Sequence, residues 1–561
     1  MPIRISRACV WPAAAVFVLL GACGPSAGVR PGGGPGPADP EALLADADAA
    51  LERGELPEAA AAYRSAADAS DDEAVAEQAT RVAYDNDQLQ QAALSADRWL
   101  ALNATSEQAH RYAGMTALRL HRLDKAEAEF AQLIDTAYIS PAAGFLALLP
   151  VIGSEAIPTD VTELFRRLVV RHPKVAEAHY ALGNCALRSE NFAMAVGAAQ
   201  RAVQLAPYWV PAKMLLARVT IASGKDDDGL AMARDLVMAP DSDVSTHIEY
   251  ALLLASTGRD EEARAMLTPY ATGQTVIPGA VRSLGALDLD AGALDAANGH
   301  FEDLLSTGSQ SYEALYFLGV VAERRKDAER ALRYYSRVGG GEYAMAAQQR
   351  VARIKAEQSG LDAGLLQLEE YGRSQPQSGP QVVAARAALA SSFDDDRRAL
   401  EILNAGLLQY PDSLDLRMSR VFLYERIDKV DYALRDLRVL LRERPGDVSV
   451  QNALGYTLAD HDQQLEEAHT LVASALAQSP DSAAVLDSMG WVLHRQGKHA
   501  EALGYLQRAQ TLGNDPEIDL HLGEVQWAMG DQAGARKTWQ QALERRPDNA
   551  ELQERLKRAG Q

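Results

Sequence analysis

From Pro40 to Asn549 the chain repeats one pattern every 34 residues, and no other feature narrows its fold so far. The consensus of the units is Leu-Gly or Leu-Ala at positions 7 and 8, a small or apolar residue at 11, often Gly at 15, and Ala at 20. A large apolar residue follows at 24, an apolar residue at 27 and Pro at 32. Units begin at residues 40, 73, 107, 142, 176, 210, 244, 278, 312, 346, 380, 414, 448, 483 and 516. Fourteen steps cover 476 residues and the register never slips by more than one residue, which chance similarity does not sustain. The apolar spacing marks two amphipathic helices per unit, and the Gly and Pro positions mark the turns. Two short helices cannot bury their apolar faces alone, so each unit must stack on the next. The 561 residues therefore form one all-α, open-ended array and not the three or four globular domains their number suggests.

The pattern has a steric reason. In the unit from 176, Gly183 on the first helix and Ala195 on the second let the two helices pass closely, where larger side chains would force them apart. Phe192, Ala199 and Ala202 continue the apolar stripe, and Pro207 closes the unit. The same places hold Gly319, Ala331 and Tyr335, and later Gly490, Gly497, Ala502, Leu506 and Ala509. Some units are poor matches. The stretch 142–175 has Leu149 at the glycine position and Pro150 within its expected first helix, yet Phe165, Leu168 and Pro173 restore the register; its eleven-residue apolar run is too short to cross a bilayer. The unit from 346 has Arg353 at the glycine position and Glu369 at position 24, between Gly339–Gly341 and the loop Ser374–Pro380. A softer joint is expected there, between an amino-terminal and a carboxy-terminal arm.

Composition excludes several function classes. Fifty-five Lys and Arg against 77 Asp and Glu leave a net charge of −22, contrary to a nucleic-acid binder that works by counterion release. The units leave no room for a catalytic domain, and no HExxH, Walker-type glycine loop, GxSxG or paired CxxC occurs. No cofactor or metal is expected: His461 with His469, and His494 with His499, lack a third ligand at useful spacing. Cys185, at position 10 of a first helix, reads as a small packing residue, and no catalytic residue is assigned.

The repeat resembles the tetratricopeptide repeat (TPR), a 34-residue helix-turn-helix unit. The resemblance implies a right-handed superhelical solenoid of about 15 units whose first helices line a concave face, with positions 2, 5, 9, 12 and 13 pointing into it. Carried onto the last three units, those offsets give Asn452 and Tyr456, then Asp487, Trp491, His494 and Arg495, then Leu520, Glu524 and Trp527. Two tryptophans and a tyrosine among polar groups form an expected anchor patch, since aromatic residues dominate protein-binding energetics. Elsewhere the offsets give Tyr180, Asn184 and Arg188, Tyr316 and Glu323, and Met418, Phe422 and Arg426. Asn184 fits the family habit of an asparagine that hydrogen-bonds an extended peptide, but the Lys and Asn set that clamps a peptide carboxylate is incomplete.

The start of the chain reads as an export signal. Arg4 and Arg7 precede an apolar stretch from Ala8 to Leu20 that is too short to remain as a membrane helix. Leu20-Gly21-Ala22-Cys23 resembles the bacterial lipobox, which implies cleavage before Cys23 and lipidation of its thiol. Gly24 after that cysteine, in place of Asp, implies delivery to the outer membrane, facing the periplasm. Cleavage would leave a charge of −24. Residues 24–40 contain six glycines and five prolines, the composition of a tether. The expected organisation is a signal peptide (1–22), lipidated cysteine and tether (23–39), amino-terminal arm (40–345), degenerate unit (346–379), carboxy-terminal arm (380–549) and capping helix (550–561).

The phrases NALGYTLAD from Asn452, PDSAAVLDSMGWVLHRQGKHAEALGYLQRA from Pro480 and PEIDLHLGEVQWAMGD from Pro516 resemble the end of outer-membrane TPR lipoproteins of Gram-negative bacteria. One type in that group is an adaptor that brings a periplasmic carboxy-terminal-processing serine protease together with peptidoglycan hydrolases. The resemblance implies a non-catalytic protein-binding scaffold. The alternative it leaves open is an assembly lipoprotein that supports an outer-membrane secretin or polysaccharide exporter.

Overall fold

The structure, a computed structural model, describes residues 39–153, 157–272, 276–512, 515–547 and 549–559. The expected signal peptide, Cys23 and the expected tether up to residue 38 lie outside the described residues. Thirty-one α-helices follow one another, with one short 3-10 helix at Pro376–Ser378 and no strand among the described residues. They form fifteen antiparallel pairs, from Pro40–Glu52 with Leu56–Ala69 to Pro516–Ala528 with Gln532–Arg545, and a last helix, Ala550–Ala559. The chain is therefore the all-helical solenoid that its period requires.

Local chemistry sets the helix ends. Asp39, Asp72, Ser106, Asp243, Ser413, Asp447 and Asp515 each stand just before a first helix and accept a backbone N–H of its first turn. Inside the unit, position 15 is left-handed in every one of the fourteen turns where it is described, which accounts for its glycines, such as Gly54 and Gly224. At Asp87, His121, Glu190, Lys326, Asp394, Asp428 and Asp462 a side chain occupies that conformation. Helix Pro141–Gly153 carries Pro150 near its end and still buries Phe145, Leu148 and Ile152.

The close passage at position 8 holds the pairs together. A Cβ on Gly490 would lie 2.5 Å from Leu506 Cγ, and one on Gly285 2.8 Å from the Phe301 ring. At position 20 of the second helices, Ala195, Ala331, Ala502 and Ala535 are completely buried. Successive first helices pack on one another through units 2–3, 4–8, 10–12 and 13–15, whereas second helices do so closely only in units 1–2 and 3–4. The first helices thus crowd the inside of the curve.

Just before the unit from 346, the helix Ala328–Tyr335 is cut to 8 residues and is followed by Gly339–Gly341. Aromatic contacts span this irregularity: Tyr316 stacks on Tyr343 at 4.7 Å and lies 5.7 Å from Tyr335, and Arg350 pairs with Glu323 at 2.8 Å.

The curvature brings distant units into contact along a seam. Gln88 Nε2 donates to the Gln409 carbonyl at 2.6 Å, Gln90 N–H to Asp412 Oδ2 at 3.2 Å, and Arg444 Nη2 to the Arg119 carbonyl at 2.9 Å. Further along, Asp481 N–H donates to the Glu190 carbonyl at 3.1 Å, and Phe192 N–H to Asp481 Oδ2 at 3.0 Å. The amino-terminal partners are all turns inside units and the carboxy-terminal partners all turns between units, so one edge of the first gyre rests on the opposite edge of the second. Between them lies a cleft of about 500 Å³ lined by Asp87, Arg119, Asp160, Asp412 and Arg444. Burial pushes Asp87 up to about 6 against the pull of Arg119, and its hydrogen bond to Asp160 raises His121.

Two predictions follow from these contacts. Gly490→Ala should loosen its unit by about 1–3 kcal/mol, whereas Gly504→Ala, with nothing within 4 Å of the new Cβ, should tighten it by about 0.5–1 kcal/mol; amide exchange over 483–512 reads both. Equal effects would reject the close passage as the constraint. For the seam, Arg444→Ala with Asp481→Ala should enlarge the radius of gyration in solution scattering. The Asp87 contribution is full below its unfolded value of 3.8 and is lost as pH rises through about 6. The His121 contribution is full below its unfolded value of 6.5 and is lost as pH rises through its raised folded value. The seam should therefore loosen as pH rises through neutrality; scattering that does not change with pH would contradict this.

Candidate protein-binding groove

At the carboxy-terminal end the inward positions of three consecutive units are engaged with one another. Asp487 and His521 form a buried pair, with Nδ1 at 2.9 Å from Oδ1. The Trp491 ring stacks on His521 at 4.1 Å and on His494 at 5.1 Å, and its Nε1 donates to Asp460 at 3.1 Å. Arg495 lies over the same indole and pairs with Asp462. Tyr456 Oη donates to Glu517 at 2.5 Å, a contact that skips a whole unit. Trp491 is thus buried within this cluster, not presented to solvent. Trp527 is half-buried, stacked on Trp539 at 6.0 Å with Arg536 above it. Glu524 reaches Arg555 of the last helix at 2.7 Å, Asn452 is half-buried, and Leu520 is in the core. The spacing brought most of this cluster to one face, but His521, its central residue, stands at position 6 and was not among the offsets.

Charge within the cluster is divided between the histidines. Burial opposes a charged His521, but the hydrogen bond and charge of Asp487 outweigh it and raise the pKa. Burial together with the charges of His499, Arg495 and His521 lowers His494 to about 4. His494 Nδ1 and His499 Nδ1 are 3.1 Å apart, and no group of three metal-ligating side chains occurs among the described residues.

The other inward positions fall into two sets. Tyr180 packs on Trp209 at 4.8 Å, Asn184 accepts from Arg218 at 2.6 Å, and exposed Arg188 donates to the Gly153 carbonyl; these link neighbouring units. Cys185 is buried, and burial pushes its thiol up to about 12, so it is unreactive packing. Units 10–12 are different. A hollow of about 260 Å³ is lined by Ala384, Ala388, Ser419, Leu423, Arg426 and Phe422, whose ring is 57% exposed. A second, of about 380 Å³, shares Ala388 and adds Tyr316, Gln349, Arg350, Arg353 and Leu368. Small side chains at positions 5 and 9 of unit 11 make the depth, and arginines stand at both ends. Arg426 is tied to Asp396 and the Ser391 carbonyl, and Arg350 to Glu323, whereas Arg353 is exposed.

A tetratricopeptide-repeat family model matches residues 30–74, 163–208, 283–343 and 452–517, and a second model of the repeat matches 493–559. These segments carry tetratricopeptide repeats. A TPR repeat-containing protein of Pseudomonas aeruginosa is 37% identical over 213 residues, a match covering 38% of this chain and 36% of that protein. The alignment thus spans about a third of the relative's length. Among solved structures, yeast Tom70 is 14% identical over 74% of this chain and 94% of its own, with a TM-score of 0.38. A TPR protein of Parabacteroides merdae is 16% identical over 45% and 100%, with a TM-score of 0.35. A thermophilic TPR protein of Thermus thermophilus is 22% identical over 32% and 98%, with a TM-score of 0.30.

The histidine cluster makes the last units pH-sensitive in a defined way. The His494 contribution is complete above the unfolded value of 6.5 and is lost as pH falls towards about 4. That of His521 is full below 6.5 and is lost as pH rises through its raised folded value. Local opening of units 14 and 15, read by amide exchange, should be slowest near pH 6.5. His494→Gln should flatten the acid limb, and an unchanged limb would remove His494 from the account.

Proposed function

We propose that this TPR protein is a non-catalytic scaffold of the periplasm, held to the outer membrane through lipid on Cys23, which binds proteins on its concave face. The observation that carries the reading is the open floor of units 10–12, where Ala384, Ala388 and Phe422 leave an apolar trough flanked by Arg350, Arg353 and Arg426. Such a trough accepts an apolar segment of a partner with acidic residues at its ends. A scaffold whose two gyres touch along a polar seam holds its inner face in one geometry before a partner arrives, which reduces the ordering cost of binding.

The partners proposed are a carboxy-terminal-processing serine protease and peptidoglycan hydrolases, on the resemblance of residues 452–531 to the adaptor lipoproteins. Holding both raises the effective concentration of hydrolase near the protease. In this reading the unit 346–379 separates an arm for each partner, and no cofactor or nucleic acid is involved.

Affinity capture from detergent-solubilised cells tests this. Wild-type protein should retain a soluble serine protease and cell-wall hydrolases, and Ala388→Asp with Phe422→Asp should lose at least one of them by tenfold or more. Retention of an integral barrel or pore instead would reject the adaptor reading in favour of the assembly role.

A further inference from the structure

The edges of the solenoid differ in chemistry. Because the helices alternate in direction, all turns between units lie on one edge and all turns inside units on the other. Four of the five most exposed large apolar side chains stand on the between-unit edge of consecutive units: Ile139 (100% exposed), Val170 (70%), Tyr208 (94%) and Met238 (77%). Val210 and Val276 continue the row, whereas Leu408, the fifth, stands beside Gln409 on the seam edge of the second gyre and is not part of it. The opposite edge of the amino-terminal gyre carries Asn86, Asp87, His121, Arg122, Ser189 and Glu190 and is the one docked in the seam. The apolar row is therefore on the free rim of the molecule.

We infer that this rim rests on a neutral phospholipid surface, with Ile139, Val170, Tyr208 and Met238 entering its interfacial layer. Packed helices stand about 8–10 Å apart, so the side chains form a line of separate tips and not a continuous groove. Separate tips suit a fluid layer that closes around each of them better than a shaped protein partner. The charges beside them balance: Arg171 and Lys174 flank Val170, and Asp241 and Asp243 follow Met238. The rim therefore has no preference for anionic lipid, and Tyr208 with neighbouring Trp209 is the residue type that settles at a membrane interface. The first helix also starts at this edge, at Pro40, so the chain from Cys23 enters the fold on the same side. Sixteen residues from Cys23 to Asp39 can span at most about 58 Å, which keeps the rim within reach of a surface that holds the cysteine. The inference draws on the anchored reading only for the membrane's proximity; the apolar row itself is independent of it.

The full chain carrying Cys23→Ser, which cannot be lipidated there, is floated with vesicles of phosphatidylcholine and phosphatidylethanolamine. It should co-float, insensitively to high salt. The same chain with Ile139→Ser, Tyr208→Ser and Met238→Ser should partition at least tenfold less with unchanged circular dichroism, since all three side chains are solvent-exposed. A control with Leu94→Ser, Met232→Ser and Leu366→Ser, exposed on second helices away from the rim, should float like the parent. Equal flotation of parent and rim variant, loss in the control as well, or rim-dependent self-association without vesicle binding would overturn the inference. Mass analysis of the wild-type anchor tests Cys23 separately, so failure of one reading is distinguishable from failure of the other.

Discussion

The structure depends on the close passage of two helices at position 8 of the first, where glycine lies against the position-24 side chain of the second. Gly490 against Leu506, Gly285 against Phe301 and the fully buried alanines at position 20 set that distance in unit after unit. Because the contact is repeated, its small angular offset accumulates, and the array bends with its first helices inside. The concave face, the free rim and the seam are consequences of that accumulation. None is built by a local motif.

The seam shows how a repeat is modified to make a long-range contact. Position 15 must be left-handed, a conformation that costs a residue with a Cβ about 1–2 kcal/mol. Glycine holds it in units 1, 6–8, 10, 14 and 15, and a side chain holds it in units 2, 3, 5, 9 and 11–13; Asp87, His121 and Glu190 are the ones where the first gyre meets the second. Asp87 pairs there with Arg119, His121 with Asp160, and the Glu190 carbonyl accepts from Asp481. In units 2, 3 and 5 the left-handed residue thus also contributes a side chain or a carbonyl at the seam.

How much was legible in the sequence follows the range of each interaction. First helices begin at 40, 73, 107, 176, 210, 244, 278, 414, 448, 483 and 516, as the spacing requires, and elsewhere within two residues, because capping and the glycine and alanine contacts are local. The groove was legible only as a set of offsets. Trp491, read as an anchor, is buried by His494 and His521, because curvature brings unit 15 onto unit 14 closely enough to cover it. Phe422, one offset among many, is exposed above a hollow because Ala384 and Ala388 beside it are small. The seam joins residues about nine units apart, and no pattern within 34 residues encodes the pitch that aligns Gln88 with Gln409. Residues that pack within a unit were therefore readable, and those that meet through superhelical curvature were not.

The central claim is that the inner face of units 10–12 is where another protein sits. A photo-crosslinking residue placed at Phe422, and separately at Leu94 on a second helix outside the curve, tests it in living cells. Crosslinks to a distinct protein from position 422 and none from position 94 are the predicted result. Crosslinks from position 94 alone, or the same products from both, would contradict it.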